Sequence, residues 1–170
     1  MRYKLMRHLL SIAALPFVVA VVVPIWVARR YAVHPTLGTT VQEVFAQIAG
    51  LTLCVIGAVL FLSSLRWFVT EGEGTLAPWD PPSRLVVRGP YRYVRNPMIS
   101  GVVFGLFGEA LILLSRPHFM WAVIFLGINF VYIPLLEEPQ LAGHFGADYV
   151  AYCRHVPRLI PRLRAWHASD

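Results

Sequence analysis

The sequence predicts an all-α membrane protein: about four transmembrane helices and a C-terminal amphipathic helix at the interface. Three observations predict it. Of its 170 residues, 57% are hydrophobic and only 14% charged, against about 45–50% and roughly 25% in soluble domains. The apolar residues gather into four segments separated by polar stretches. The basic residues that give the formal charge of +6 flank those segments instead of covering a soluble surface, which argues against nucleic-acid binding.

The first segment runs from about Leu9 to Ala28, with Pro16 and Pro24 inside it. Arg2, Lys4 and Arg7 precede it as they would a signal peptide, but the apolar run exceeds the 7–15 residues of such a core and Arg29 and Arg30 follow at once. It reads as a retained helix. The second segment, from about Val44 to Val69, contains Ala46, Gly50 and Cys54 at the spacing that lets helices approach closely. Both reach the roughly 20 residues needed to cross the hydrocarbon core. The Gly- and Pro-rich loop from Glu71 to Pro82 comes next as irregular interfacial backbone.

Asn96 and Pro97 read as the N-cap and first residue of the third helix. That helix spans about Met98 to Ser115 and carries the Gly101–Gly105 pair and Gly108. Arg116, Pro117 and His118 join it to a fourth segment from about Phe119 to Leu136, giving a tight helical hairpin. Glu137 and Glu138 close the fourth helix, and Pro139 starts the C-terminal region. Beyond it Leu141, Phe145, Tyr149, Tyr152 and Val156 recur at intervals of three and four, the pattern of an amphipathic helix lying on the membrane, broken at Pro157 and Pro161.

Charge counting sets the topology. The N-terminal tail, the stretch between the second and third helices (Arg66, Arg84, Arg88, Arg92, Arg95) and the C-terminal tail (Arg154, Arg158, Arg162, Arg164) hold twelve of the fifteen Lys and Arg residues. Four crossings put those three regions on one side, so both termini are expected in the cytoplasm of a multi-pass protein, at the inner membrane if bacterial. Residues 1–70 supply the first two helices. Residues 71–170 hold the loop, hairpin and tail.

Few residues offer chemistry. Cys54 and Cys153 form no disulfide framework, and the six histidines are scattered without metal-ligand spacing, so no metal is expected. Glu109 lies inside an apolar segment, where a carboxylate costs about 2.5–3.5 kcal/mol on insertion scales; it is functional, or else hydrated or paired with a polar neighbour towards the far end of the helix. Adjacent carboxylates at the end of the fourth helix oppose its dipole, a local conflict of the kind found at functional sites. Tyr91, Arg92, Tyr93 and Arg95 are also what an aromatic belt with cytoplasmic arginines would contain.

Their order carries more. Gly89-Pro90-Tyr91, Arg95-Asn96-Pro97, Glu137-Glu138, Phe145-Gly146, Tyr149, Tyr152 and Val156-Pro157 resemble the pattern of the isoprenylcysteine carboxyl methyltransferase and phospholipid methyltransferase superfamily. The likeness covers roughly residues 72–163. It implies an S-adenosylmethionine site at the cytoplasmic face, lined by Ser83, Arg84, Leu85 and Val86, then Tyr91, then Asn96, Pro97, Met98 and Ile99, with Glu137 and Glu138 as the acidic pair. It also implies a hydrophobic small-molecule or lipid-like acceptor reached from the bilayer. No covalent nucleophile is needed, because a sulfonium is already an activated donor; alignment and exclusion of water suffice. Asn96 and Ile99 stand where the family has histidine and tyrosine, and Ile133 where isoprenylcysteine enzymes have a substrate-binding arginine. An acceptor other than a prenylcysteine carboxylate is therefore expected.

Two other classes remain open from sequence. Sterol reductases have a related C-terminal region, so an NADPH-dependent membrane reductase could use the same motif. A small proton-coupled transporter could use Glu109, but would leave the two motif segments without a role.

Overall fold

The computed structural model describes residues 15–71 and 85–167. Helix is the regular structure among those residues, with no strand. Helix α1 (Val23–Arg30) is extended at its start by a π-helical turn, Val18–Val22. Helix α2 spans Val41–Glu71, α3 Pro97–Ile112 and α4 Arg116–Tyr132. A second π turn, Ile133–Glu137, carries α4 without interruption into α5 (Glu138–Phe145), and α6 spans Ala147–His155. Two stretches, Val41–Thr70 and Arg116–Phe145, are long and apolar enough to cross a membrane.

The helix through Glu137 and Glu138 corrects the expectation that the fourth helix ends there. Val23 N–H bonds back to Val18 O, and Glu138 N–H to Ile133 O, each a wider i→i−5 turn directly before a proline. Pro24 and Pro139 have no N–H to give, and a proline ring crowds the carbonyl one turn back. A single π turn relieves both problems without ending the helix. Glu137 and Glu138 therefore sit inside a long helix, and the conflict with a terminal dipole disappears.

Helices α2 and α3 run antiparallel with their backbones nearly touching. A Cβ on Gly57 would lie 2.5 Å from the Gly101 carbonyl oxygen, and one on Gly50 2.7 Å from that of Gly108. The contact stripe has a seven-residue spacing on both helices. Gly105 lies at this contact with its backbone, 2.9 Å from a Cβ built on Gly57, but its own Cβ direction points into open space. Gly57→Leu should thus cost about 3 kcal/mol or more through overpacking against backbone. Gly105→Ala should be neutral or slightly stabilising; thermal unfolding in maltoside micelles separates the two.

The turn between α3 and α4 lies at Leu113–Ser115, earlier than expected, because Ser115 Oγ accepts from His118 N–H and starts α4 at Arg116. Helix α1 packs on this hairpin: Trp121 Nε1 donates to Val19 O at 3.1 Å, and Val19 and Ala20 lie against Val102, Leu106 and Ala122. Large apolar side chains of α2, among them Phe45, Leu51, Val59 and Leu62, stay exposed on the helix surface. A contiguous apolar face of that length is normal against lipid and unsustainable in water.

The C-terminal amphipathic helix also differs from expectation. Gly146, at φ +58°, divides it into α5 and α6. The apolar face of α6 is covered by the chain itself: Tyr149, Tyr152, Val156 and Trp166 form a buried cluster that Leu85, Val87 and Phe145 pack against. The tail after α6 folds back to meet the start of α3.

Candidate functional site

The site is built where the segment entering α3 meets the tail. Gly89 opens it at φ +54°, and a side chain there would run into the Trp67 indole, so glycine is required on both counts. Gly89–Arg92 forms a 3₁₀ turn with Pro90 at its start. Beyond it the segment pairs with the tail through backbone bonds. Arg95 N–H donates to Pro157 O at 2.8 Å, and Asn96 N–H to Arg158 O at 3.1 Å. Arg162 N–H donates to Tyr93 O, and Trp166 N–H to Arg92 O, both at 3.0 Å.

Side chains lock the same junction. Arg92 Nε donates to Trp166 O at 2.9 Å. Tyr152 OH donates to Tyr91 O at 2.6 Å, which fixes the turn carrying Tyr91 onto α6. Burial, with Glu137 nearby, raises the Tyr91 phenol above its ordinary pKa, and burial does the same for Tyr152. Both stay protonated and able to donate across the physiological range. Tyr152→Phe removes one such bond and should lower stability by about 1–2 kcal/mol, visible as a lower thermal midpoint with Tyr149→Phe as the comparison.

At the centre is Glu138. Arg158 grips it with both arms, Nε to Oε1 at 2.6 Å and Nη2 to Oε2 at 2.9 Å, while Arg95 Nη1 reaches Oε1 at 3.0 Å. The three residues come from the α3 approach, the long helix and the tail. Arg95 Nη1 also donates to Cys153 Sγ. The two motif segments, more than forty positions apart in sequence, thus share one ion-paired node.

Glu137 is different. Among the described residues it has no ion-pair or hydrogen-bond partner, although it lies within electrostatic reach of Tyr91 and Arg95. Among the described residues, Arg92 Nη2 and Arg95 Nε are buried without a hydrogen-bond partner. Of these two arginines, Arg95 is the one within electrostatic reach of Glu137.

Tyr91, Asn96, Pro97, Glu137 and Glu138 come together at this end. Pro97 and Met98 are buried and Ile99 is half-buried in the first turn of α3. Leu85 packs on the tail cluster, and Val86 is buried. Ser83 and Arg84 lie outside the described residues. Asn96 stands at the N-cap position but does not cap with its side chain; Nδ2 donates instead to Arg158 O at 3.4 Å. Ser100 Oγ lies within hydrogen-bond distance of both Asn96 O, at 3.0 Å, and Leu159 O, at 2.7 Å. Arg158 carries a role that its place in the charge count did not reveal. Only the Val156-Pro157 motif beside it marked that part of the tail.

The model of the phospholipid methyltransferase family matches residues 45–148, more than half of the sequence, and the chain belongs to that family of membrane methyltransferases. Among curated relatives, a phosphatidylethanolamine N-methyltransferase of Zygosaccharomyces rouxii is 29% identical over 106 residues, covering 58% of this chain and 12% of that protein. Methanethiol S-methyltransferase 2 of Bradyrhizobium diazoefficiens is 32% identical over 83 residues, covering 47% of this chain and 30% of that protein. The chain therefore matches only a minor part of the length of either relative. No solved structure matches it significantly.

Proposed function

We propose that this chain is an integral-membrane, S-adenosylmethionine-dependent methyltransferase acting on a hydrophobic or lipid-like small molecule. The observation that carries the reading is the Arg95–Glu138–Arg158 node, which joins the two motif segments into one site beside an uncommitted carboxylate. Glu137 would hold the cofactor's ammonium or ribose hydroxyls. The spare N–H groups of Arg92 and Arg95 would take its carboxylate, and Tyr91 and the Asn96–Ile99 turn would line its remaining surface. When bound, S-adenosylmethionine supplies a methyl group already activated on sulfonium. The chain's part is to align donor and acceptor and keep water out.

The topology proposed is four crossings with both termini and this site in the cytoplasm. Helices α1 and α3 complete the pair already long enough to span. Residues 1–70 support a core of residues 71–170. The acceptor would enter from the bilayer between helices. Ile133 is fully buried and offers no cation to a carboxylate, and the named relatives methylate a nitrogen and a sulfur. A neutral amine or thiol on an apolar body fits best.

Isothermal titration of the purified protein in maltoside micelles with S-adenosylmethionine and, separately, with NADPH tests this. Binding of the sulfonium alone is the expected result. Heat with NADPH and none with S-adenosylmethionine would put a reductase in its place.

A further inference from the structure

The other end of the bundle holds a second polar centre with no part in the donor site. Glu109 lies twelve residues along α3 from Pro97, about 18 Å at 1.5 Å per residue. Among the described residues its buried Oε2 has no hydrogen-bond partner and no ion pair reaches it. It lines a cleft of about 270 Å³ between α1 and the α3–α4 hairpin. Ala20, Val21, Pro24, Ile25, Ala28 and Leu113 make its apolar wall, and His118 is the other polar lining residue.

His118 is already committed. Its Nε2 meets Pro24 O at 3.1 Å and its Nδ1 meets Ser115 Oγ at 2.7 Å. The thiol of Cys54 is engaged too, with Gly105 O at 3.6 Å. The cleft therefore presents one unanswered group, a carboxylate, on an otherwise apolar surface. A buried carboxylate oxygen left unpaired is costly, and a cationic donor on an apolar body is the ligand that answers both the charge and the apolar wall. Val21 and Ile25 are exposed on the outer side of the cleft, so an alkyl chain can leave it along α1. Roughly nine water volumes of ~30 Å³ fit the space, which suits a short alkyl chain with an amine head.

We propose that this cleft binds an amphiphile through its primary ammonium group, with Glu109 as counter-ion and the α1 face as the chain's seat. The site is separate from methyl transfer and does not depend on it. Lipids with an amine headgroup and free alkylamines share this chemistry.

The test is binding to purified protein in maltoside micelles, with octylamine, octyltrimethylammonium and octanol as probes and thermal shift and titration as readouts. Octylamine should bind at least about tenfold tighter than octanol, as one charge-assisted hydrogen bond provides. Glu109→Gln, which keeps the side chain's shape, should remove that tenfold margin. Ala28→Trp, which narrows the cleft, should weaken both probes. The S-adenosylmethionine titration should be unchanged in both variants, which shows that they remain folded and separates this site from the other. Octyltrimethylammonium, with no N–H, should bind more weakly than octylamine. Phosphatidylethanolamine and phosphatidylcholine in nanodiscs then distinguish a lipid from a free amine: competition by the first alone identifies a lipid headgroup, and by neither, a soluble amine. Equal binding of octylamine and octanol, or an octylamine preference that survives Glu109→Gln, overturns the proposal and leaves Glu109 a protonated or hydrated residue.

Discussion

Replacing Glu137 with Gln should weaken S-adenosylmethionine binding by about 10- to 100-fold and leave the thermal midpoint almost unchanged. The size is that of one charge-assisted hydrogen bond, about 1.5–3 kcal/mol, at about 1.4 kcal/mol per factor of ten. The unchanged stability is a consequence of the geometry. Glu137 has no ion-pair partner among the described residues, so nothing within them is released when its charge is removed. Isothermal titration and thermal unfolding on the same preparation check both halves. Methyl transfer should fall with binding at low cofactor concentration and recover in part at high concentration.

Glu138→Gln should do the opposite. The residue is next in sequence, but its carboxylate takes three hydrogen-bonded contacts from Arg95 and Arg158. Its side chain is 18% exposed, against 10% for Arg95 and 29% for Arg158. Breaking a fully buried pair from one side costs about 3–5 kcal/mol, and an exposed pair is worth about 0–1. A partly buried node should lie between, at about 2–3 kcal/mol. The loss should appear as a lower thermal midpoint and faster proteolysis of the tail. Any weakening of cofactor binding would be secondary, through a loosened Arg95. A double-mutant cycle with Arg158→Leu should show strong coupling, because the second substitution removes one of the charges that the first leaves unbalanced.

That two adjacent carboxylates should behave so differently is not legible in the sequence. The Glu137-Glu138 pair stands out there, but for a reason that does not hold. Pro139 makes it look like a helix end, and the structure runs the helix on through a π turn. The substitution of an i→i−5 bond for the missing one is a local adjustment with no residue signature of its own, since Pro24 and Pro139 look like ordinary breakers. Hydrophobic patterning, by contrast, places the starts of α2, α3 and α4 within a few residues. That signal depends on the solvent and on each segment separately. What no single segment reveals is pairing across the chain. Arg158 joining Glu138, Tyr152 holding Tyr91, and the Gly50–Gly108 and Gly57–Gly101 contacts each need two distant stretches brought together. The motif order hints at the first two by placing their residues in one pattern. The small residues at Gly50, Cys54, Gly101 and Gly108 mark the close approach in sequence, but the part of Gly57 shows only once the two helices are paired.

Hydrogen–deuterium exchange with and without S-adenosylmethionine tests the placement of the donor site most directly. Protection is expected in the Val86–Ile99 segment, around Glu137 and in the tail that pairs with Tyr93–Asn96, with the Glu109 end unaffected. Protection centred on α1 and the α3–α4 turn, or no protection on addition of saturating cofactor, would contradict a sulfonium site between the approach to α3 and the end of α4.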